Sequence, residues 1–204
     1  FIDLFVPRRH RASICLDREL ELAVPKLHTS NLGDEAISEL ARKVFLTYFV
    51  THIPATMLID AQVVLPPRVV PTFARNALRW HISTNNDVLM AHQPAWLRSL
   101  VMCELVFQLP FFFVAISALR RRDEGAKGWL LAYGAHTATT LAPILQYIWE
   151  SDAIASELER WKLIGVYSPY LVVPLWIVSC TIGEGKIFVD AKTARSASSR
   201  RKRA

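Results

Sequence analysis

Long apolar segments alternate along this chain with short charged connections. The apolar segments cover about residues 44–65, 99–119, 129–149 and 163–182. Each holds roughly 20 residues, which is the length that an α-helix needs to cross the ~30 Å hydrocarbon core of a bilayer. The pattern therefore predicts an all-α protein built as a bundle of four transmembrane helices. A soluble helical protein is the alternative, which the very apolar stretch 105–119 disfavours.

Polar side chains recur at helical spacing inside each apolar segment. They are His52, Thr56 and Asp60 in the first, Glu104 and Gln108 in the second, His136 and Thr140 in the third, and Tyr167 and Tyr170 in the fourth. Steps of three or four residues place side chains on one face of a helix. We expect the four polar faces to enclose a ligand cavity within the membrane, although such side chains can also simply hydrogen-bond one helix to another.

Two carboxyl groups, those of Asp60 and Glu104, lie at membrane depth in different segments. An ionised carboxylate in the middle of a bilayer costs at least ~3 kcal/mol, so it requires a partner, a proton or a functional role. Two such groups in one pocket do not both ionise readily. We therefore predict one shared polar pocket, in which Glu104 is protonated and donates a hydrogen bond toward Asp60.

Basic residues predict the orientation of the chain in the membrane. Segments 1–43, 120–127 and 186–204 hold seven, four and seven of the 24 Lys and Arg residues. Because positive charge accumulates on cytoplasmic loops, both termini and the short loop near residue 124 are expected in the cytoplasm. The formal net charge of +6 then follows from topology and anionic lipid, and it does not argue for a nucleic-acid partner.

These patterns divide the chain into a cytoplasmic N-terminal segment (1–43), a membrane domain (44–183) and a basic cytoplasmic tail (184–204). The three cysteines show no paired spacing, so neither a metal site nor a cofactor is expected. In the tail, Arg201 and Lys202 have the dibasic pattern of a retrieval signal for the endoplasmic reticulum, which is an address that a receptor reads.

Several motifs resemble the EXPERA family, which includes the emopamil-binding sterol isomerases. They include His52-Ile-Pro54, the run Glu104-Leu-Val-Phe-Gln-Leu-Pro-Phe-Phe112, and His136-Thr-Ala-Thr-Thr-Leu-Ala-Pro143. The resemblance implies four helices around a deep cavity in a homodimeric protein of the endoplasmic-reticulum membrane. It also implies binding of sterols, oxysterols or lipophilic cationic amines, a role in cholesterol homeostasis, and a membrane-protein partner in sterol transport.

The resemblance also assigns roles to individual residues. Asp60 matches the acid that pairs with a ligand's ammonium group, and Glu104 matches the acid that supports it. Asp87 matches an acid that orders a loop outside the pocket. The remaining positions that match the cavity lining are Gln108, Thr140, Tyr167, Tyr170, His52 and Trp80. His81 departs from the family pattern, which leads us to expect Tyr at this position.

Three functions are compatible with these residues. The first is a receptor that binds sterols and amines, and the second is a sterol isomerase with Asp60 and Glu104 as acid and base. The third is an adaptor whose cavity holds only endogenous lipid. The isomerase branch carries a His-x-x-x-Glu pair, whereas here Thr56 follows His52 at that spacing. The resemblance therefore favours the receptor and predicts no catalytic residue.

Overall fold

A computed structural model describes residues 37–183 and 185–188, and the regular secondary structure of this part of the chain is helical except for one isolated bridge between Ile37 and Phe188. The helices are α1 (Glu39–Leu58), α2 (Thr72–Asn85), α3 (Val88–His92), α4 (Ala95–Cys103), α5 (Leu109–Arg121), α6 (Lys127–Glu150), α7 (Glu157–Tyr167) and α8 (Pro169–Thr181). The prediction of an all-α fold is confirmed for the described residues. Most of segment 1–43, the tail after residue 188 and the pair Arg201 and Lys202 lie outside them.

The first predicted span is a helix that tightens at its end. Ser38 caps α1, because its hydroxyl accepts a hydrogen bond from the backbone N–H of Ala41. After Leu58 the chain continues through a 3-10 turn, Asp60–Val63, so that Asp60 lies where the helix changes pitch. Together these residues form a stretch, Glu39–Val63, that is long and apolar enough to cross a membrane.

The second predicted span contains a π-helical turn. Helices α4 and α5 are joined by Glu104–Gln108, in which the N–H of Leu109 donates to the carbonyl of Glu104, five residues earlier. Pro110 follows and has no N–H to offer to the preceding turn, which favours a local break in the α-helical pattern. The whole stretch Ala95–Arg121 is also long and apolar enough to span.

The other two predicted spans are less regular. Helices α7 and α8 meet at an angle of 41° next to Pro169, and they form a third span if the bent pair is counted as one. Helix α6 has 24 residues, about 36 Å at 1.5 Å per residue, but its His and Thr residues make it less apolar. The structure therefore has helices at all four predicted places, whereas two or three spans, not clearly four, meet the criteria of length and composition.

Two pairs of helices provide most of the packing. Helix α6 lies against α8, and α1 lies against α5. The main core between them is aromatic, with Phe45, Phe49 and Phe112 fully buried. A second core forms where α3 and α4 pack under the end of α1, around Leu89 and Leu97. The residues between the first two predicted spans are thus folded onto the membrane domain.

Candidate functional site

A cavity of about 170 Å³ lies between these helices, and its walls are mostly apolar. The polar side chains in its lining are His52, Asp60, His81, Glu104, Gln108, Thr137, Thr140, Tyr167 and Tyr170. Apolar residues from α3 and α4, including Leu89 and Leu97, complete the walls. The cavity is therefore a polar cluster set within apolar surroundings, which is typical of a ligand site.

Seven of the eight residues predicted to bind ligand lie together in this lining. They are Asp60, Glu104, Gln108, Thr140, Tyr167, Tyr170 and His52. The eighth, Trp80, is 66 % exposed and lies outside the lining, whereas its neighbour His81 is part of it. Successive residues of a helix point 100° apart, so one of the two faces the cavity and the other faces away.

Glu104 is held by two residues of α1. Thr56 Oγ1 donates a hydrogen bond to Glu104 Oε1 over 2.6 Å, and His52 Nε2 lies 3.5 Å from the same oxygen. Thr56 and His52 are 0 % and 5 % exposed. The predicted hydrogen bond from Glu104 to Asp60 is not found among the described residues, in which Glu104 Oε1 accepts from Thr56. The steps of four on α1 do bring His52, Thr56 and Asp60 to the same site.

Asp60 differs from Glu104 in its contacts. It begins the 3-10 turn after α1 and lines the cavity, and its carboxyl group makes no hydrogen bond to any described residue. Its carboxyl oxygens are therefore available to a ligand that carries a hydrogen-bond donor. The sequence could indicate the unusual depth of this acid, but not that Glu104 alone would be held by a protein donor.

Asp87 lies behind the cavity wall and organises two of its residues. Its carboxylate is fully buried, and Oδ1 accepts a hydrogen bond from the N–H of Met90, which caps α3. Oδ2 accepts from Tyr167 Oη at 2.9 Å and lies 2.8 Å from His81 Nε2. Asp87 is absent from the lining, and it orders the segment after α2 while it also positions His81 and Tyr167.

Aromatic rings fix His52 in the wall. Its ring stacks on Phe112 with centroids 4.7 Å apart, and Tyr48 and Tyr170 lie at 5.1 and 4.6 Å. Its Nδ1 atom is buried and has no hydrogen-bond partner among the described residues.

The polar residues of the third span differ from one another in their hydrogen bonds. Thr137 bonds helix to helix through Gln108 Oε1, whereas Thr139 bonds to Ala135 within α6.

Comparison with known proteins identifies the same region. Residues 73–179, more than half of the chain, match the family described as EXPERA, the expanded EBP superfamily. The Xenopus tropicalis protein named Sigma intracellular receptor 2 is 38 % identical over 152 residues, which are 69 % of this chain and 87 % of that protein. The human protein of the same name is 40 % identical over 141 residues, 62 % of this chain and 78 % of that protein.

A more distant relative comes from yeast. The Saccharomyces cerevisiae protein named Efficient mitochondria targeting-associated protein 19 is 30 % identical over 149 residues, 66 % of this chain and 92 % of that protein. The apolar helices and these relatives together indicate a multi-pass membrane protein. The chain therefore belongs to the EXPERA family, as a member similar to Sigma intracellular receptor 2.

Proposed function

We propose that this protein is a membrane receptor of the endoplasmic reticulum that binds sterols and lipophilic amines in its central cavity and acts in cholesterol homeostasis or trafficking. The observation that carries the proposal is the presence of Asp60 and Glu104 in one apolar cavity, with Glu104 held by Thr56 and Asp60 without a protein partner. The relatives named as receptors support the same function.

The chemistry suits a protonated amine with an apolar body. An ammonium group donates hydrogen bonds, and the unpartnered carboxylate of Asp60 accepts them in surroundings where a charge pair is poorly screened. The rings of Tyr167 and Tyr170 line the same cavity and add cation–π attraction. The apolar walls from Leu89 and Leu97 then receive the body of the ligand.

A sterol would use the same walls but different polar contacts. It carries no charge, so its hydroxyl would exchange hydrogen bonds with the carboxyl, amide or hydroxyl groups of the lining. The cavity volume, about 170 Å³, is smaller than the ~300–1,000 Å³ of most small-molecule pockets. Binding of a four-ring molecule therefore requires outward movement of lining side chains, for which the π-helical turn at Glu104–Gln108 is a suitable place.

The test of the amine site is the change Asp60→Asn. Loss of a buried charge partner costs about 2–5 kcal/mol, so the affinity for a radiolabelled lipophilic amine should fall by at least ~30-fold. Asp152→Asn is the matched control, because Asp152 is exposed and outside the cavity lining. Equal elution profiles in size-exclusion chromatography would show that both variants are folded. An unchanged affinity in Asp60→Asn would reject the proposed site.

The alternative function is a sterol double-bond isomerase. The carboxyl groups of Asp60 and Glu104 line one cavity, so they would supply the acid and the base of this reaction. An isomerase protonates one ring carbon and removes a proton from another, which moves the double bond without any net change in atoms. Conversion of a Δ8 sterol to its Δ7 isomer by purified protein, lost in Glu104→Gln, would establish this function in place of the receptor.

We also propose that two copies associate through α6. Several small residues of this helix are exposed at steps of three or four, namely Ala132, Ala135, Thr139 and Ala142. Small residues let membrane helices approach closely. Ala135→Leu should then shift the protein from dimer to monomer in light scattering of purified samples, with Ala142→Gly as a control that keeps the face small.

The proposed location depends on the basic tail. Changing Arg201 and Lys202 together to Ser removes the dibasic pattern but keeps Arg200 and Arg203 for contact with anionic lipid. If the pair is a retrieval signal, the variant should appear in post-Golgi membranes by imaging, whereas the unchanged protein remains reticular. An unchanged reticular distribution would assign residency to the membrane domain instead.

A further inference from the structure

His81 and Asp87 form a hydrogen-bonded pair at one end of the cavity. His81 lines the cavity with 18 % of its side chain exposed, and its Nε2 lies 2.8 Å from Asp87 Oδ2. The same oxygen accepts the hydroxyl of Tyr167, whose ring also lines the cavity. Asp87 itself is 0 % exposed, so its charge is poorly screened by solvent.

The contacts of the other ring nitrogen assign the protonation state of His81. Asn85 Nδ2 lies 3.3 Å from His81 Nδ1 and also donates to the carbonyl oxygen of His81 at 3.1 Å. An amide nitrogen is a donor only, so Nδ1 is the acceptor and Nε2 carries the hydrogen that is donated to Asp87. The imidazole is therefore neutral in this arrangement, and the group of His81, Asp87 and Tyr167 carries one negative charge.

We propose that His81 is a positioning residue that makes the binding of cationic ligands depend on pH. A proton added to the imidazole would change the net charge of the group from −1 to zero. Its attraction for a ligand cation in the same cavity then weakens, while binding of a neutral sterol is unaffected. The inference rests on the proposed function, because it requires a cation near Asp60.

Proton uptake at His81 would also disturb its contacts. A protonated Nδ1 is a donor and would face the donor amide of Asn85, so the amide must turn over to offer its oxygen. The imidazolium would form a full ion pair with Asp87, which keeps the hydrogen bond to Tyr167. The wall residues therefore stay in place, and the main change that a ligand experiences is the loss of negative charge.

Other titratable groups face the cavity or pack near this pair. His52 and Asp60 belong to the first span, Glu104 to the second, and Tyr167 and Tyr170 to α7 and α8. Outside the cavity, α7 also presents Lys162, which donates to the carbonyl of Thr84, and Glu159, which accepts from Asn86. Only His52 and His81 among the lining residues are imidazoles, the group that changes charge most readily between pH 5 and 8.

The experiment measures how tightly two histidine variants bind a ligand of fixed charge. A quaternary ammonium compound with an apolar ring body keeps its charge at every pH, so any pH dependence comes from the protein. Its Kd is measured at pH 7.5 and 5.5 for the full chain in lipid nanodiscs. We expect it to rise on the order of tenfold at pH 5.5, within the ordinary range of coupling between sites. His81→Gln keeps a donor to Asp87 without titrating, and the rise should fall below about twofold. His136→Gln changes an exposed histidine outside the cavity lining and should retain the rise.

A second readout does not depend on ligand. In ¹⁵N spectra of histidine-labelled protein, the signals that disappear in His81→Gln belong to His81. They should show the neutral Nε2–H form at pH 7.5 and imidazolium at pH 5.5. An unchanged pH ratio in His81→Gln, or a neutral His81 at pH 5.5, would overturn the proposal. Absence of ammonium binding at every pH would overturn the cation site as well, and the spectra would then show whether His81 still titrates.

Discussion

Thr56 Oγ1 lies 2.6 Å from Glu104 Oε1, and this hydrogen bond joins α1 to the π-helical turn of the second span. Thr56 is fully buried, and His52 Nε2 lies 3.5 Å from the same oxygen. The contact gives an acid at membrane depth one of the hydrogen-bond partners that a buried polar group requires. It also makes the position of Glu104 depend on α1.

Removal of this hydroxyl should weaken both the fold and the amine site. Thr56→Val keeps the shape of the side chain but leaves Glu104 without its donor, which costs about 1–3 kcal/mol. We expect a lower midpoint of thermal unfolding in detergent and an amine affinity reduced about three- to tenfold. Thr56→Ser retains the hydroxyl and is the control. Equal behaviour of Val and Ser at this position would show that the hydrogen bond has no role.

Glu104→Gln should retain most of the amine affinity, in contrast to Asp60→Asn. A glutamine oxygen can still accept from Thr56, and its amide supplies the donor that a protonated carboxyl would supply. If Glu104 is neutral near pH 7, infrared spectra of the unchanged protein should contain a protonated carboxyl band that is missing in Glu104→Gln. A spectrum without this band would show that Glu104 is ionised.

The sequence predicted the helical class because that class depends on periodicity. Steps of four on α1 correctly brought His52, Thr56 and Asp60 to one face, and the unusual acids indicated where the cavity lies. Periodicity within one segment cannot define contacts between segments. The sequence therefore gave no sign that Glu104 would pair with Thr56 instead of Asp60.

The region between the first two spans was the least predictable. Residues 66–98 were interpreted as a connection, although they contain α2 and α3, and the rotation of α2 about its axis could not be assigned. Trp80 was expected in the cavity from the family resemblance, whereas the structure places its neighbour His81 in the lining. The bend of 41° between α7 and α8 next to Pro169 was not predicted, although proline is a common cause of such bends.

Helices α6 and α8 should be sensitive to side-chain size at Gly134. A Cβ atom there would lie 2.8 Å from the carbonyl oxygen of Pro174 and 2.8 Å from a methyl carbon of Val178. Gly134→Ala therefore forces the helices apart, and overpacking of this kind costs about 1–3 kcal/mol. We expect a thermal midpoint several degrees lower. Gly128→Ala lies on the same helix with no atom within 4 Å of its Cβ, and it should be as stable as the unchanged protein.

Arg160 should determine how α6 ends. Its guanidinium donates to the carbonyls of Ile148 and Trp149 at the end of α6, and to that of Ser151 just beyond it. These carbonyls have no partner within the helix, so one side chain satisfies groups that would otherwise be left unpaired. Arg160→Lys keeps the charge, but a single ammonium cannot match the planar guanidinium at all three oxygens. The free energy of unfolding should fall by about 1–2 kcal/mol. Hydrogen exchange of the last turn of α6 should accelerate in this variant, whereas Arg79→Lys, an exposed change on α2, should leave it unaltered. Equal exchange in the two variants would show that α6 ends without help from Arg160.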